Sequence, residues 1–174
     1  MKSYLKPIKN KIIYLILLII FFSKTNSYSE EISGYAKVID GDTIRIKGTK
    51  IRLYGIDAPE NNQLCSKPWL SLSVVTFFKD YECGLKATNL LDNFIKNEII
   101  VCKKKSLDRY NRVVAICFKK KRDINSWLVR NGLAVAYRKY SKKYIISEND
   151  AKKEKKGLWA GKFVMPWEWR KKHK

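Results

Sequence analysis

The chain has 174 residues, with 37 Lys and Arg against 16 Asp and Glu and a formal charge of +21. Its single histidine, His173, excludes a Ser-His-Asp triad, a paired-histidine ribonuclease mechanism and a histidine-rich zinc site. A hydrophobic content of 45% and an aromatic content of 13% exclude general disorder despite the charge, and the length suits one domain with a real core.

At the N-terminus, Lys2, Lys6, Lys9 and Lys11 precede an apolar run from Ile12 to Phe22, followed by small polar residues. The run is short for a membrane span, so residues 1–27 read as a secretory signal peptide, with a retained anchor as the alternative, and residues 28–174 as a single domain. An exported protein, periplasmic or secreted, with this cationic excess suits a polyanion, nucleic acid before membrane or cell-wall polymer. Gly34 to Asp40, Thr43 to Lys47 and Lys50 to Tyr54 alternate in the strand manner, the last two joined by a Gly48-Thr49 turn. A loop is expected from about Asp57 to Cys83. Ala87, Leu90, Leu91, Phe94 and Ile95 share one face at helical spacing and predict a first helix. Ile99 to Lys104 and Arg112 to Phe118 form a second strand pair about the polar turn Ser106 to Asn111. Asp123 caps a second helix with Ile124, Trp127 and Leu128 on its apolar face. A charged third helix runs from about Lys143 to Lys156 and stops at Gly157. Beyond it, Arg170 to Lys172 read as a basic tail remote from any chemistry. Three strands, a helix, two strands and further helices predict an α+β fold: a five-stranded OB-type β-barrel with three helices.

The four cysteines contain no C-x-x-C pair, which suits zinc poorly and two disulfides in an oxidising compartment well. Three connectivities are possible. A hairpin centred on Arg109 and Tyr110 selects among them by setting Cys102 opposite Cys117, which leaves Cys65 for Cys83.

The densest polar constellation is Val38-Ile39-Asp40-Gly41-Asp42-Thr43 followed by Arg52-Leu53-Tyr54-Gly55-Ile56-Asp57-Ala58-Pro59-Glu60. With a Gly48-Thr49 turn, Asp40 faces Asp57, Asp42 faces Gly55, and Asp42 and Asp57 become diagonal neighbours. Two carboxylates so placed repel unless a cation lies between them, and oxygen-only ligation favours Ca2+ or Mg2+. The same acids are also ordinary turn formers, as Asp-Gly and Asp-x-Pro, and spacing alone leaves both readings open. Strand parity puts Arg52 on the opposite face from Asp57, so a site using both needs a bend after Leu53, for which Gly55 is suited.

The ordered blocks IDGDT, RLYGIDAPE, DRYNR, NGLAVAY and AKKEKKGLW, from about Tyr35 to Trp159, resemble the staphylococcal nuclease (thermonuclease) family. The closing MPWEWR is similar to that of exported proteobacterial members. The resemblance implies a Ca2+-dependent endonuclease on an OB-type barrel, hydrolysing phosphodiester bonds of DNA and RNA with little sequence preference. Asp42 and Asp57 match its carboxylate ligands, and Ala58 its main-chain carbonyl ligand, where the best-known member has Thr. Glu60 matches the carboxylate assigned to activating water, and Arg52 and Arg112 the two arginines on the phosphate. Arg109, Tyr110 and Tyr137 match nucleotide-contacting positions. Asn111 replaces a glycine before Arg112, and Asn accepts positive φ better than most residues.

Residue chemistry supports the same set, because two guanidinium forks match the charge that develops on non-bridging phosphate oxygens. Two other readings compete: a non-catalytic nucleic-acid-binding OB-fold module, and a cationic envelope protein for acidic polymers. The joint presence of Asp42, Asp57, Glu60, Arg52 and Arg112 favours the enzyme. One segment falls outside the family pattern. The apolar stretch Lys67 to Phe78 predicts either a packed sub-lobe or a patch for a partner or membrane beside the site.

Overall fold

Apolar alternation builds the first three strands of the computed structural model, which describes residues 30–173: β1 (Glu31–Asp40), β2 (Thr43–Ile46) and β3 (Thr49–Leu53). The expected signal peptide lies outside the described residues. Ile44, Ile46, Ile51 and Leu53 point inward and are fully buried. The β2–β3 turn is Lys47-Gly48, with φ of 46° and 83°, the doubly left-handed geometry that follows strand twist. It lies one residue earlier than the expected Gly48-Thr49, so Thr43 faces Arg52 rather than Tyr54. A two-residue shift preserves the faces, so the inward pattern survives although the pairing of the acids does not.

After β4 (Ile56–Asp57), the expected loop is instead an antiparallel ribbon of β5 (Leu64–Leu72) and β6 (Val75–Glu82). It leads directly into α1 (Cys83–Ile95), which buries Ala87, Leu91 and Ile95 against the sheet while Leu90 turns outward. β7 (Ile99–Leu107) and β8 (Val113–Lys119) follow and pair with each other. β1 gives its first half to β7 and its second half to β2. β3 meets β8 in parallel, Arg52 opposite Val114, and so closes β3-β2-β1-β7-β8 into the predicted five-stranded OB-type barrel.

β9 (Arg122–Asp123) precedes α2 (Ile124–Arg130), and Asp123 caps that helix by accepting from the Ser126 N–H at 2.9 Å. Trp127 of α2 stacks on Phe94 of α1 at 3.9 Å. β10 (Val135–Ala136) pairs with β4, and α3 (Ile145–Lys153) is shorter than expected. A 3₁₀ turn over Gly157–Ala160 leads to a fourth helix, α4 (Pro166–Lys172), where the sequence suggested only a tail. Its signals were ordinary ones: Pro166 at the first turn, Glu168 near the N-terminal end and Arg170, Lys171 and Lys172 in the last turn.

The disulfides join Cys65 to Cys83 and Cys102 to Cys117. The second links direct cross-strand partners of β7 and β8; the first ties the root of the β5–β6 ribbon to the start of α1. Beyond that root the ribbon is no packed sub-lobe. Trp69, Leu70, Leu72, Val74, Val75, Phe77 and Phe78 are all exposed.

Candidate active site

Asp42 closes the turn between β1 and β2, where the Asp40 carboxylate accepts from the Asp42 N–H at 3.0 Å. The Asp42 carbonyl accepts from the Leu53 N–H at 2.8 Å, which holds the end of β3 beside it. The chain then bends at Gly55, whose φ of 72° lies in the left-handed region that favours glycine. This is the bend that parity demanded. β4 is thereby turned onto β10, with Asp57 opposite Val135, and the buried Glu148 fixes β10 by accepting from the Ala136 N–H at 3.0 Å. On the far side, Gly84 at the start of α1 permits close approach of the next loop. A Cβ there would lie 1.7 Å from the Glu60 carbonyl oxygen.

These supports bring two carboxylates together in the interior: Asp42 is 2% exposed and Asp57 fully buried. Arg52 bridges them, one Nη on Asp42 Oδ1 and the other on Asp57 Oδ1 at 2.6 Å. The Ala58 N–H donates to Asp42 Oδ2 at 2.8 Å, and the Thr43 hydroxyl to Oδ1 at 3.2 Å. Burial pushes the Asp42 carboxyl up to about 8; Arg52 opposes this, the Asp40 and Asp57 charges add to it, and the Ala58 N–H opposes it. Burial also works against charge on Arg52, but Asp42 and then Asp57 outweigh it and raise its pKa.

A second guanidinium enters from α4. Arg170 Nη2 donates to both Asp57 oxygens, at 3.0 and 2.8 Å, and Nη1 donates to Glu60 Oε1 at 2.8 Å. Burial disfavours its charge, yet the bonds to Asp57 and Glu60 raise its pKa overall. The residue read as part of a remote tail is therefore in contact with the carboxylates. Its signal was the Pro-Trp-Glu-Trp-Arg run, in which two tryptophans imply docking rather than a solvated end.

Asp42, Asp57, Ala58, Arg52 and Glu60 thus converge as expected. Arg112 does not join them: its Nε donates to Asp108 Oδ2 at 2.7 Å, in a turn where Asp108 also accepts from the Tyr110 and Arg112 N–H groups. Alternation from Val114, the partner of Arg52, nevertheless places Arg112 on the same sheet face. Asn111 takes φ of 57°, so the turn keeps the left-handed residue that a glycine would supply. Arg109 and Arg112 lie over the exposed Tyr110 ring at 4.8 and 5.6 Å. Tyr137 stacks on Trp167 of α4, ring centroids 5.3 Å apart, and its N–H donates to the Gly55 carbonyl at 3.0 Å.

Among the described residues, no three His, Cys, Asp or Glu side chains form a metal-holding group. The Asp42–Asp57 pair fits a cation on other grounds. Its donors are all oxygen, the set a hard divalent ion takes, and two guanidinium groups already stand as cations on Asp57.

The sequence profile of the staphylococcal nuclease homologue family matches residues 50–161. The chain is 36% identical over 134 residues to the succinoglycan biosynthesis protein ExoI of Rhizobium meliloti, covering 75% of this chain and 66% of that protein's length. It is 29% identical over 175 residues to an uncharacterized endonuclease of Haemophilus influenzae, covering 95% of this chain and 88% of that protein. A micrococcal nuclease of Shigella flexneri is 26% identical over 156 residues, 79% of either chain.

Proposed function

The chain belongs to the staphylococcal nuclease homologue family, and on that premise we propose that it is a Ca2+-dependent endonuclease hydrolysing phosphodiester bonds of DNA and RNA with low sequence preference. The observation that carries this reading is the buried pair Asp42 and Asp57 bridged by the Arg52 guanidinium, with Glu60 linked to Asp57 through Arg170. A module that only bound nucleic acid would use surface cations and aromatic rings, and would gain nothing from carboxylates buried beside a polyanion.

Hydrolysis adds water to phosphorus, breaks a P–O bond to the sugar and loads negative charge on the non-bridging oxygens. Glu60, about one-third exposed, is suited to accept the proton of the attacking water. The forks of Arg52 and Arg112 match two oxygens of the phosphate. The Asp42 and Asp57 carboxylates, with the Ala58 carbonyl, would hold Ca2+. When bound, that ion supplies charge neutralisation to the phosphate. Arg109, Tyr110 and Tyr137 would line the strand, with the guanidinium of Arg109 and the ring of Tyr110 presented outward at the 108–112 turn.

Two disulfides support work in an oxidising compartment, as an exported periplasmic or secreted protein. Among the described residues, no helix is long and apolar enough to cross a membrane. Digestion of single- and double-stranded DNA and RNA with Ca2+, Mg2+ or excess chelator tests the reading. Cleavage in Ca2+ and none in chelator is expected; full activity in chelator excludes the metal mechanism.

A further inference from the structure

We propose that Arg170 is the resident counter-ion of Asp57 and the positioning residue for Glu60. One guanidinium binds both Asp57 oxygens and Glu60 Oε1 at 2.8 to 3.0 Å, so a single group from α4 frames two acids of the site. Its base is anchored without it. Trp167 lies flat on Tyr137, Gln63 Nε2 donates to the Val164 carbonyl at 2.7 Å, and Phe163, Met165 and Trp167 pack against the Cys65–Cys83 cluster. A carboxylate offers roughly four lone-pair sites. Asp57 gives three to guanidinium N–H groups, one to Arg52 and two to Arg170. A divalent ion that takes more than the one remaining site on Asp57 displaces a guanidinium, and Arg170, unlike Arg52, can leave without uncovering Asp42, whereas the Arg170–Glu60 bond lies outside that competition. Resting on the reading above, this makes Arg170 act in two opposite directions: against cation binding, through Asp57, and for turnover, through Glu60.

Ca2+ binding measured by calorimetry without nucleic acid, beside kcat at saturating Ca2+, separates these directions. Arg170→Gln should bind Ca2+ about tenfold more tightly, the scale of one charge-assisted pair, while kcat falls. Arg170→Lys should keep near wild-type Ca2+ affinity, because its point charge still competes at Asp57, but should not restore kcat, because it cannot bridge to Glu60. A merely structural loss would weaken both properties together. If wild type binds Ca2+ and Arg170→Gln binds it no more tightly, this role is overturned alone; if wild type binds none, the metal reading falls with it.

A separate observation concerns the β5–β6 ribbon, and we infer that its tip docks on an anionic lipid surface. Val74 at the turn is 95% exposed, with Leu72 and Val75 paired just behind it and Leu70, Phe77 and Trp69 following, all outward. Nearer the root, Lys67 and Lys79 are direct cross-strand partners, a like-charge pairing that an overlying anion would relieve, with the Lys67 ammonium 5.5 Å from the Tyr81 ring and the acids Asp80 and Glu82 lying further from the tip. Lys162 adds a third ammonium, 4.5 Å from the Phe78 ring. An aliphatic tip above a lysine collar matches the acyl boundary and the headgroup layer of an anionic bilayer. A second copy fits less well, since each chain carries a large cationic excess with or without residues 1–27. Nucleic acid stacks on ring faces, and the outermost residues, Leu72, Val74 and Val75, have none.

Co-sedimentation with phosphatidylcholine vesicles, with and without phosphatidylglycerol, tests this. The protein should bind only the anionic vesicles, and Leu72→Ser with Val74→Ser, which leaves charge unchanged, should weaken binding at least about tenfold. Cleavage of a short oligonucleotide should stay at the wild-type rate in that variant. Unchanged vesicle binding by the variant, dimerisation that the tip changes abolish, or weakened oligonucleotide binding each overturns the lipid assignment.

Discussion

Replacing Arg112 by Lys should lower kcat by roughly 10²–10⁵-fold while the Kd for a short oligonucleotide, at one salt concentration, hardly moves. The charge is retained, so the release of counterions from the nucleic acid is unchanged. What is lost is the planar fork, which a single ammonium cannot reproduce against two oxygens of a crowded phosphorus. Arg112 is the clean test because it touches neither carboxylate: its partners are Asp108 and the Tyr110 ring. Arg52→Lys should lose as much, but for two reasons at once, since lysine can reach Asp42 or Asp57 and not bridge both. Lys171 and Lys172 are suitable controls for altered surface charge; Arg170, which contacts Asp57 and Glu60, is not. If Arg112→Lys leaves kcat within about twofold, the arginine is not stabilising developing charge, and the binding-module reading moves ahead.

Barrel strands were legible because they rest on local periodicity, whereas the candidate site residues came from the family resemblance, with side-chain chemistry independently favouring the paired carboxylates and the arginine forks. Ile44, Ile46, Ile51 and Leu53 alternate inward whichever turn joins β2 to β3, so an error in the turn left the core correct. The meeting of Asp42 with Asp57 was reached for a partly wrong reason. It was assigned to diagonal neighbours in one hairpin, whereas Gly55 hands Asp57 to a different ladder, opposite Val135. The parity of Arg52 carried the better information, since only a bend could reconcile it with Asp57. The β5–β6 ribbon was missed because Leu70-Ser71-Leu72-Ser73-Val74 alternates only briefly, and the doublets Val74-Val75 and Phe77-Phe78 break the period that marks a half-buried strand. A two-stranded ribbon with neither face covered has no buried side to impose such a pattern. Arg170 was missed because 110 residues separate it from Glu60, and no spacing rule reaches so far.

Asp42→Asn should abolish cleavage and make the fold more stable. Burial pushes the Asp42 carboxyl from 3.8 up to about 8, so between these values the folded chain holds a proton that the unfolded chain has released. Unfolding therefore liberates a proton over this window, and stability falls as pH rises through it. Above the folded value the whole penalty of a buried, crowded carboxylate is present. An amide keeps the shape and an acceptor for the Ala58 N–H or Arg52 but carries no charge to desolvate. In chelator, the variant should gain at least about 1 kcal/mol over wild type near pH 9, one pKa unit being worth about 1.4 kcal/mol, and little near pH 4. Thermal or urea unfolding across that range supplies the measurement. Ca2+ should narrow the gap at high pH by stabilising the folded carboxylate of wild type alone. A parallel pH profile for both proteins would mean that burial does not strain the Asp42 carboxylate, and activity lost in the variant would then report only the missing cation ligand.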